Sequence, residues 1–223
     1  MINGKTIMAI TLARGGSKRV PKKNIVNING KPLLQYTIDE VKKSKYIDNY
    51  IVSTDDKDIE NLCRNLKTTY FQREPASDTQ TTAEGLYEVV RCHNRYDYIV
   101  EIMCTNPLKT VEDIDGVIEK LDETGADSVV SVVRIWDNHP SRVKYIKDDR
   151  LMDFFPEVPE SRRQDLVPEA YVRNGSIYAM TYDQLKIKQV RLGEDNRPYI
   201  MSEDKTINID EPVDLELARI MLK

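Results

Sequence analysis

An α/β fold built on a mostly parallel sheet is predicted by three observations. Apolar, β-rich runs recur at 7–13, 50–54, 97–104 and 128–133, and amphipathic stretches of helical spacing separate them. Strand alternating with helix is the pattern of βαβ units, in which a helical crossover returns the chain so that successive strands lie parallel. The third observation is length: 223 residues suffice to bury one substantial core, so a single domain over 1–223 is expected, with a small inserted subdomain at about 134–172.

The elements follow in order. Ile7-Met8-Ala9-Ile10-Thr11-Leu12 is a buried strand that runs into the loop Ala13-Arg14-Gly15-Gly16-Ser17-Lys18-Arg19-Val20-Pro21-Lys22-Lys23-Asn24. Pro32 opens a helix over 33–45, with Leu33, Leu34, Ile38 and Val41 on one face. Residues 79–94 and 111–124 also carry helical spacing, the second opened by Thr110-x-x-Asp113, a variant of the capping box. Between about 134 and 172 the periodicity breaks at Trp136, His139-Pro140, Pro156, Pro159 and Pro168, with Phe154-Phe155 inside a charged stretch, which predicts a segment projecting from the sheet. Strand character resumes over 175–180 and again over 206–210, and a last helix follows Pro212 with Val213, Leu215, Leu217, Ala218 and Met221. There are no internal repeats or low-complexity tracts.

Composition excludes several functions. Lys and Arg number 33 against 37 Asp and Glu, a net charge of -4, so positive charge is local and bulk nucleic-acid binding is disfavoured. No apolar run approaches the roughly 18 residues of a membrane span, and Met1-Ile2-Asn3-Gly4-Lys5 begins a strand rather than a signal peptide. Cys63, Cys92 and Cys104 are odd in number and lack Cys-x-x-Cys spacing, which suits a reducing compartment, so a cytoplasmic protein is expected.

The loop after the first strand carries the chemistry. Gly15 and Gly16 allow a sharp turn that exposes backbone N–H groups to an anion, and Arg14, Lys18, Arg19, Lys22 and Lys23 supply counter-charge. The loop has neither Gly-x-Gly-x-x-Gly nor a Gly-Lys-Ser/Thr ending, so it matches neither a Rossmann dehydrogenase nor a Walker ATPase. A nucleoside triphosphate is the expected guest. Asn208-Ile209-Asp210 adds a second signal: at i and i+2 of a strand, Asn208 and Asp210 would present two oxygens side by side, enough to share Mg²⁺ with nucleotide phosphates and water. The alternative is that Asp210 caps the helix entered at Pro212. Parallel α/β sheets place ligands at the carboxyl ends of strands, where both the loop and Asp210 are expected, and that coincidence favours the metal. The two histidines, His93 and His139, have no serine or cysteine beside them, so a covalent triad is not expected.

With these motifs go Ile51-Val52-Ser53-Thr54-Asp55-Asp56, Ala126-Asp127-Ser128-Val129-Val130-Ser131-Val132, Arg163-Gln164-Asp165 and Asn174-Gly175-Ser176-Ile177-Tyr178. Together, in this order from residue 6 almost to the C-terminus, the chain resembles the CMP-acylneuraminate synthetases. The resemblance implies a Rossmann-like three-layer nucleotidyltransferase fold, a homodimer, and transfer of CMP from CTP to a nonulosonic acid such as sialic, legionaminic or pseudaminic acid with release of pyrophosphate. It implies that Leu12, Ala13, Arg14, Gly15, Gly16, Lys18, Lys23 and Asn24 surround the nucleotide, with Arg14 and Lys23 gripping the triphosphate, and that Arg73, Gln80 and Thr82 lie near base and ribose. It further implies that Lys144, Arg163 and Tyr178 handle the acidic sugar, that Asp210 binds Mg²⁺ beside Asn208, and that 134–172 reaches across a dimer.

Four positions depart from that family. Met103 stands where a glutamine is common, Asn208 replaces the first of two metal-binding aspartates, Arg19 replaces a glycine, and Arg173 stands where proline often precedes Asn174-Gly175. Two alternatives therefore accompany the main expectation: a nucleotidyltransferase using another nucleotide or a sugar phosphate, and a non-catalytic sensor of nucleotide sugars.

Overall fold

The computed structural model describes residues 1–75, 77, 79–156 and 162–222. Seven strands form one sheet: β1 (Ile7–Leu12), β4 (Asn49–Thr54), β5 (Thr69–Gln72), β6 (Tyr98–Ile102), β7 (Ser128–Ile135), β10 (Ala170–Thr181) and β11 (Asn196–Ile200), in the order β11-β7-β10-β6-β1-β4-β5. Two short hairpins supply the rest, β2 (Asn27–Ile28) with β3 (Lys31–Pro32) and β8 (Lys144–Lys147) with β9 (Arg150–Asp153). β10 runs antiparallel to both its neighbours and every other pairing in the large sheet is parallel, so the mostly parallel expectation holds.

Six α-helices are found among the described residues: α1 (Leu33–Val41), α2 (Lys57–Asn65), α3 (Thr82–Val90), α4 (Val111–Thr124), α5 (Tyr182–Lys188) and α6 (Pro212–Met221). Alternation along β1 explains the three layers. Ile7 and Ala9 pack with Ile114, Val117, Ile118 and Leu121 of α4, while Met8 and Ile10 pack with Leu86, Val89 and Leu185 of α3 and α5. Because successive strand side chains point to opposite faces, an apolar run with no polar alternation is what a sheet covered on both sides needs. A third cluster seats Leu34, Ile38, Ile59 and Cys63 of α1 and α2 against Val52. Among the described residues no helix is long and apolar enough to cross a membrane.

Several boundaries differ from expectation. The helix predicted over 33–45 ends at Val41, and the one over 79–94 begins at Thr82, capped by Thr81 and closed by a capping box with Glu84. The helix over 111–124 is found as predicted, and the Thr110 N–H donates to the Asp113 carboxylate at 2.9 Å. The strand expected over 206–210 is not one. Ile207 and Ile209 are buried against Val20, Ile28, Leu33, Leu215 and Ala218, which reproduces strand-like alternation, but among the described residues the segment joins no ladder; besides a local turn bond from Thr206 N to the Glu203 carbonyl, its backbone bond is from Ile209 N to the Thr105 carbonyl at 2.9 Å. β5 and β11 have no counterpart among the predicted strands. Both are edge strands, and Pro198 inside β11 is tolerated only because an edge needs no second row of donors.

The irregular 134–172 stretch holds the β8–β9 hairpin. Pro159 and the residues around it lie outside the described residues. His139 is buried and structural, its ring nitrogens paired with the Ser141 hydroxyl at 2.7 Å and the Pro168 carbonyl at 2.8 Å.

Candidate active site

The loops that leave the carboxyl ends of β1, β5 and β6 meet over one cleft of about 610 Å³. Arg14, Lys18 and Lys23 line it from the first loop, Arg73, Gln80 and Thr82 from the loop after β5 and the start of α3, and Met103 and Thr105 from the loop after β6. Leu12, Arg19, Asn24 and Asp210 also face it, and of all these Thr105 alone is not singled out by the sequence. Open parallel sheets collect ligands at this end because the helix N-termini and loop N–H groups converge there.

The first loop departs from its predicted workings in two ways. Gly15 and Gly16 do not line the cleft, and neither has a positive φ. The Gly15 N–H, expected to meet an anion, donates instead to Asp55 Oδ1 at 2.8 Å. Glycine is needed there for closeness: a Cβ would lie 2.4 Å from Asp56 Oδ2. Ala13 is fully buried and also stands back from the cleft. Nor are all five cations free for a ligand. Lys22 turns to Asp58 and does not line the cleft, and Arg19 pairs with Glu211 at 2.7 Å. Asn24 is buried; its Nδ2 donates to the Arg14 carbonyl at 2.9 Å and its Oδ1 accepts from Cys104 Sγ, so it fixes the turn from which Arg14 projects.

Asp210 and Asn208 are side by side, as predicted, though on an extended loop. Lys23 Nζ donates to Asp210 Oδ1 at 2.8 Å, and Asn208 Nδ2 donates to Oδ2. The capping alternative falls, because the N-cap of α6 is Glu211. Among the described residues no three His, Cys, Asp or Glu side chains are grouped to hold a metal ion. Asn208 turns its amide nitrogen to the Asp210 carboxylate, so the exposed Asp210 is the oxygen ligand this pair offers, which still suits Mg²⁺, an ion that commonly takes one or two protein carboxylates and fills its octahedron from phosphates and water.

Two polar atoms of cleft residues, Arg73 Nε and Thr105 Oγ1, are buried with no hydrogen-bond partner among the described residues. Such orphans are uncommon and costly unless a ligand or water satisfies them. Deeper still, Lys109 is 2% exposed, and its ammonium donates to Thr37 Oγ1 at 2.8 Å, the Met103 carbonyl at 2.7 Å and the Asn106 carbonyl at 2.5 Å. It ties down the loop that carries Met103 and Thr105. Burial pushes this amine down to about 7.

Of the three residues predicted for the sugar, only Tyr178 is near this region, lining a second cavity of about 370 Å³ with Asn208. Lys144 and Arg163 line neither cavity. Lys144 pairs with Asp153 across the β8–β9 hairpin at 2.7 Å, and the Arg163 guanidinium lies 4.8 Å from the Trp136 ring centroid. Asn174 explains its motif structurally: its Oδ1 accepts from Ser131 Oγ at 2.7 Å, bracing a register shift in β10 at which Gly175 adopts a φ of +61°. Glu101 and Arg191 were absent from the sequence reading. A buried glutamate inside the apolar run 97–104 was the one signal that could have raised them.

Residues 8–222 match the sequence profile of a family described as cytidylyltransferase. The chain belongs to the cytidylyltransferase family. Among its relatives, N-acylneuraminate cytidylyltransferase B of Danio rerio is 30% identical over 213 residues, covering 94% of this chain and 50% of that protein. Pseudaminic acid cytidylyltransferase of Campylobacter jejuni is 26% identical over 225 residues, covering 97% and 96%. The chain thus spans about half the length of the fish enzymes it matches and nearly all of the bacterial one. Among solved structures, a CMP:2-keto-3-deoxy-manno-octonic acid synthetase complexed with CTP superposes with a TM-score of 0.76 at 20% identity, over 97% of this chain and 98% of that one. That likeness establishes the cytidylyltransferase fold for the chain.

Proposed function

We propose that this chain transfers CMP from CTP to a nonulosonic acid of the sialic, legionaminic or pseudaminic type, releasing pyrophosphate. The observation that carries the reading is the cationic cleft at the carboxyl ends of the sheet, lined by Arg14, Lys18, Lys23 and Asp210, in a chain matched by a cytidylyltransferase profile over 8–222. Arg14 has no ion-pair partner among the described residues and is held by Asn24 through its own carbonyl, so its guanidinium is available to a phosphate. Arg73 Nε and Thr105 Oγ1 await acceptors or donors from the nucleotide.

In the proposed reaction the anomeric hydroxyl of the acid attacks the α-phosphorus as the bond to the bridging oxygen of pyrophosphate breaks, the hydroxyl proton passing to water and the electron pair of the broken bond leaving with pyrophosphate. Negative charge grows on the leaving oxygens, where prearranged cations contribute most to the rate. Arg14, Lys18 and Lys23 fill that role. Asp210 and Asn208 would hold Mg²⁺ together with the phosphates, and a bound Mg²⁺ would supply further charge neutralisation there. Lys23, released from Asp210 by the ion, would then be free to meet phosphate.

The reading extends to assembly. We place Lys144 and Arg163 in the site of a partner copy, because neither lines the cationic cleft or the second cavity beside it and both belong to the projecting stretch. That stretch exposes Ile146, Leu151, Phe154 and Phe155, an apolar surface suited to a second copy.

The test is pyrophosphate release with Mg²⁺ across CTP, UTP, GTP and ATP, each paired with a panel of nonulosonic acids and sugar 1-phosphates. Release with CTP and a nine-carbon acid alone is the expected result. Another pairing would redirect the specificity, and tight CTP binding without any release would leave a nucleotide-sugar sensor, which Asn208 occupying Asp210 Oδ2 would suit.

A further inference from the structure

The second cavity contains a device that the proposed reaction does not yet use. Glu101 sits on the central strand β6, 2% exposed, between the buried Val100 and Ile102. A carboxylate in such a place is retained only with a strong partner, since desolvation disfavours its charge. Burial pushes the Glu101 carboxyl upward, and the neighbouring Arg191 opposes that. Arg191 Nη1 donates to Glu101 Oε2 at 2.7 Å, and the guanidinium lies 4.2 Å from the Tyr178 ring centroid. One end of the guanidinium is therefore anchored and its charge lies over the Tyr178 ring. Arginine has five N–H donors, and among the described residues only Nη1 donates to a protein acceptor.

Arg191 lines the second cavity. Arg173 lines it too, and among the described residues it has no ion-pair partner and no carboxylate lines the cavity. Glu101 itself faces the nucleotide cleft while Arg191 faces the second cavity, and the bonded Asp210 and Asn208 are divided between the two in the same way. The cavities thus adjoin across two polar contacts, which puts the second one next to the phosphates of a nucleotide bound in the first.

We infer that Arg191, clamped by Glu101 and lying over the Tyr178 ring, is a specificity-determining residue that donates to an electron-rich oxygen of the acceptor acid, with Glu101 as its positioning residue. This rests on the reading that the chain is a nonulosonic acid cytidylyltransferase. The source of the oxygen is the carboxylate of the acid or one of its acyl groups. Arg191 with Glu101 is neutral as a pair, so Arg173 supplies the net positive charge of the cavity, suited to one anionic acceptor.

Steady-state kinetics of pyrophosphate release tests it, with acid and CTP varied separately. Arg191→Met is expected to raise KM for the acid by about 10- to 100-fold while KM for CTP stays within about twofold. Arg191→Lys should recover part of the loss. Glu101→Gln should move KM for the acid in the same direction by less, and the double variant should be no worse than Arg191→Met, as expected of residues acting as one unit. If the Arg191→Met penalty vanishes with the carboxamide of the acid, the carboxylate is the group held. If it persists, an acyl oxygen is. An acid KM within about twofold of wild type in Arg191→Met, or equal rises in both KM values, overturns the inference. Should wild type release no pyrophosphate with any acid, the proposed function fails separately, and calorimetric titration of the acids into wild type and Arg191→Met still decides: equal binding, or none to either, sinks the role of Arg191.

Discussion

Lys23 and Asp210 are 187 residues apart in the chain, yet the ammonium nitrogen lies 2.8 Å from the carboxylate, beside Arg14 at the mouth of one cleft. Arg14→Ala removes a cation that no carboxylate among the described residues neutralises, so a transferring phosphate loses a prearranged donor. Turnover should fall by about 100-fold or more while the thermal midpoint stays near that of wild type, as an exposed side chain contributes little to folding. Pyrophosphate release and a melting curve check both parts, and near-normal turnover would remove Arg14 from the phosphate site. Asn208→Asp tests the metal reading at the same scale. It replaces an amide donor on Asp210 Oδ2 by a like charge, so the variant should melt lower without Mg²⁺ and reach half-maximal activity at lower Mg²⁺ than wild type. An unchanged metal dependence would mean that residue 208 does not meet the ion. These residues were legible because their types and order carry the chemistry; their hydrogen bonds were not. That Gly15 donates to Asp55, that Lys22 turns to Asp58, or that Asn24 braces Arg14 depends on contacts between segments that sequence spacing does not encode.

At the scale of elements, apolar alternation is a reading of burial and only indirectly of hydrogen bonding. It located β1, β6 and β7 because a sheet covered on both faces makes whole runs apolar. It misread 206–210, where Ile207 and Ile209 are buried against α6 and the loops without a ladder, and it passed over β5 and β11 at the edges. Capping signals did better: Thr110 and Asp113 begin α4 as expected. The loop from β6 to α4 depends on a residue that composition cannot single out, Lys109, whose ammonium gathers Thr37 and the Met103 and Asn106 carbonyls. Its amine is pushed from 10.5 to about 7 by burial, so between those values the unfolded chain binds more protons than the folded one. Stability linked to Lys109 therefore rises as pH increases from about 7 towards 10.5. Lys109→Met lacks this linkage. Unfolding by urea at a series of pH values should show wild type gaining on Lys109→Met across that window, and a constant difference would indicate that the amine titrates normally.

At the scale of the whole molecule, the projecting stretch exposes apolar side chains that a lone copy leaves in water. Ile146 is 76% exposed and Leu151 71%, and the two are register partners across the β8–β9 hairpin, so they form one contiguous patch. Phe154 and Phe155 extend it along the chain. Covering such a surface with its own counterpart is the arrangement that two-fold symmetry offers most readily. The same stretch holds Lys144 and Arg163, the two residues expected at the sugar that line neither the cationic cleft nor the second cavity. One substitution set joins these facts. Ile146→Glu with Leu151→Glu sets two carboxylates opposite each other on the hairpin face, where a partner would have to bury them, so sedimentation equilibrium should change from dimer to monomer. The sheet, whose clusters lie elsewhere, should keep its far-ultraviolet circular dichroism. If the partner supplies Lys144 and Arg163, KM for the acid should rise steeply in the monomer while CTP still binds, since Arg14, Lys18 and Lys23 come from the same chain as the cleft they line. Mixing monomeric variants that retain Lys144 and Arg163 should restore nothing, because neither can dock. A monomer with unaltered KM for the acid would show that each chain completes its own site, and would leave Tyr178, Arg173 and Arg191 to hold the sugar alone.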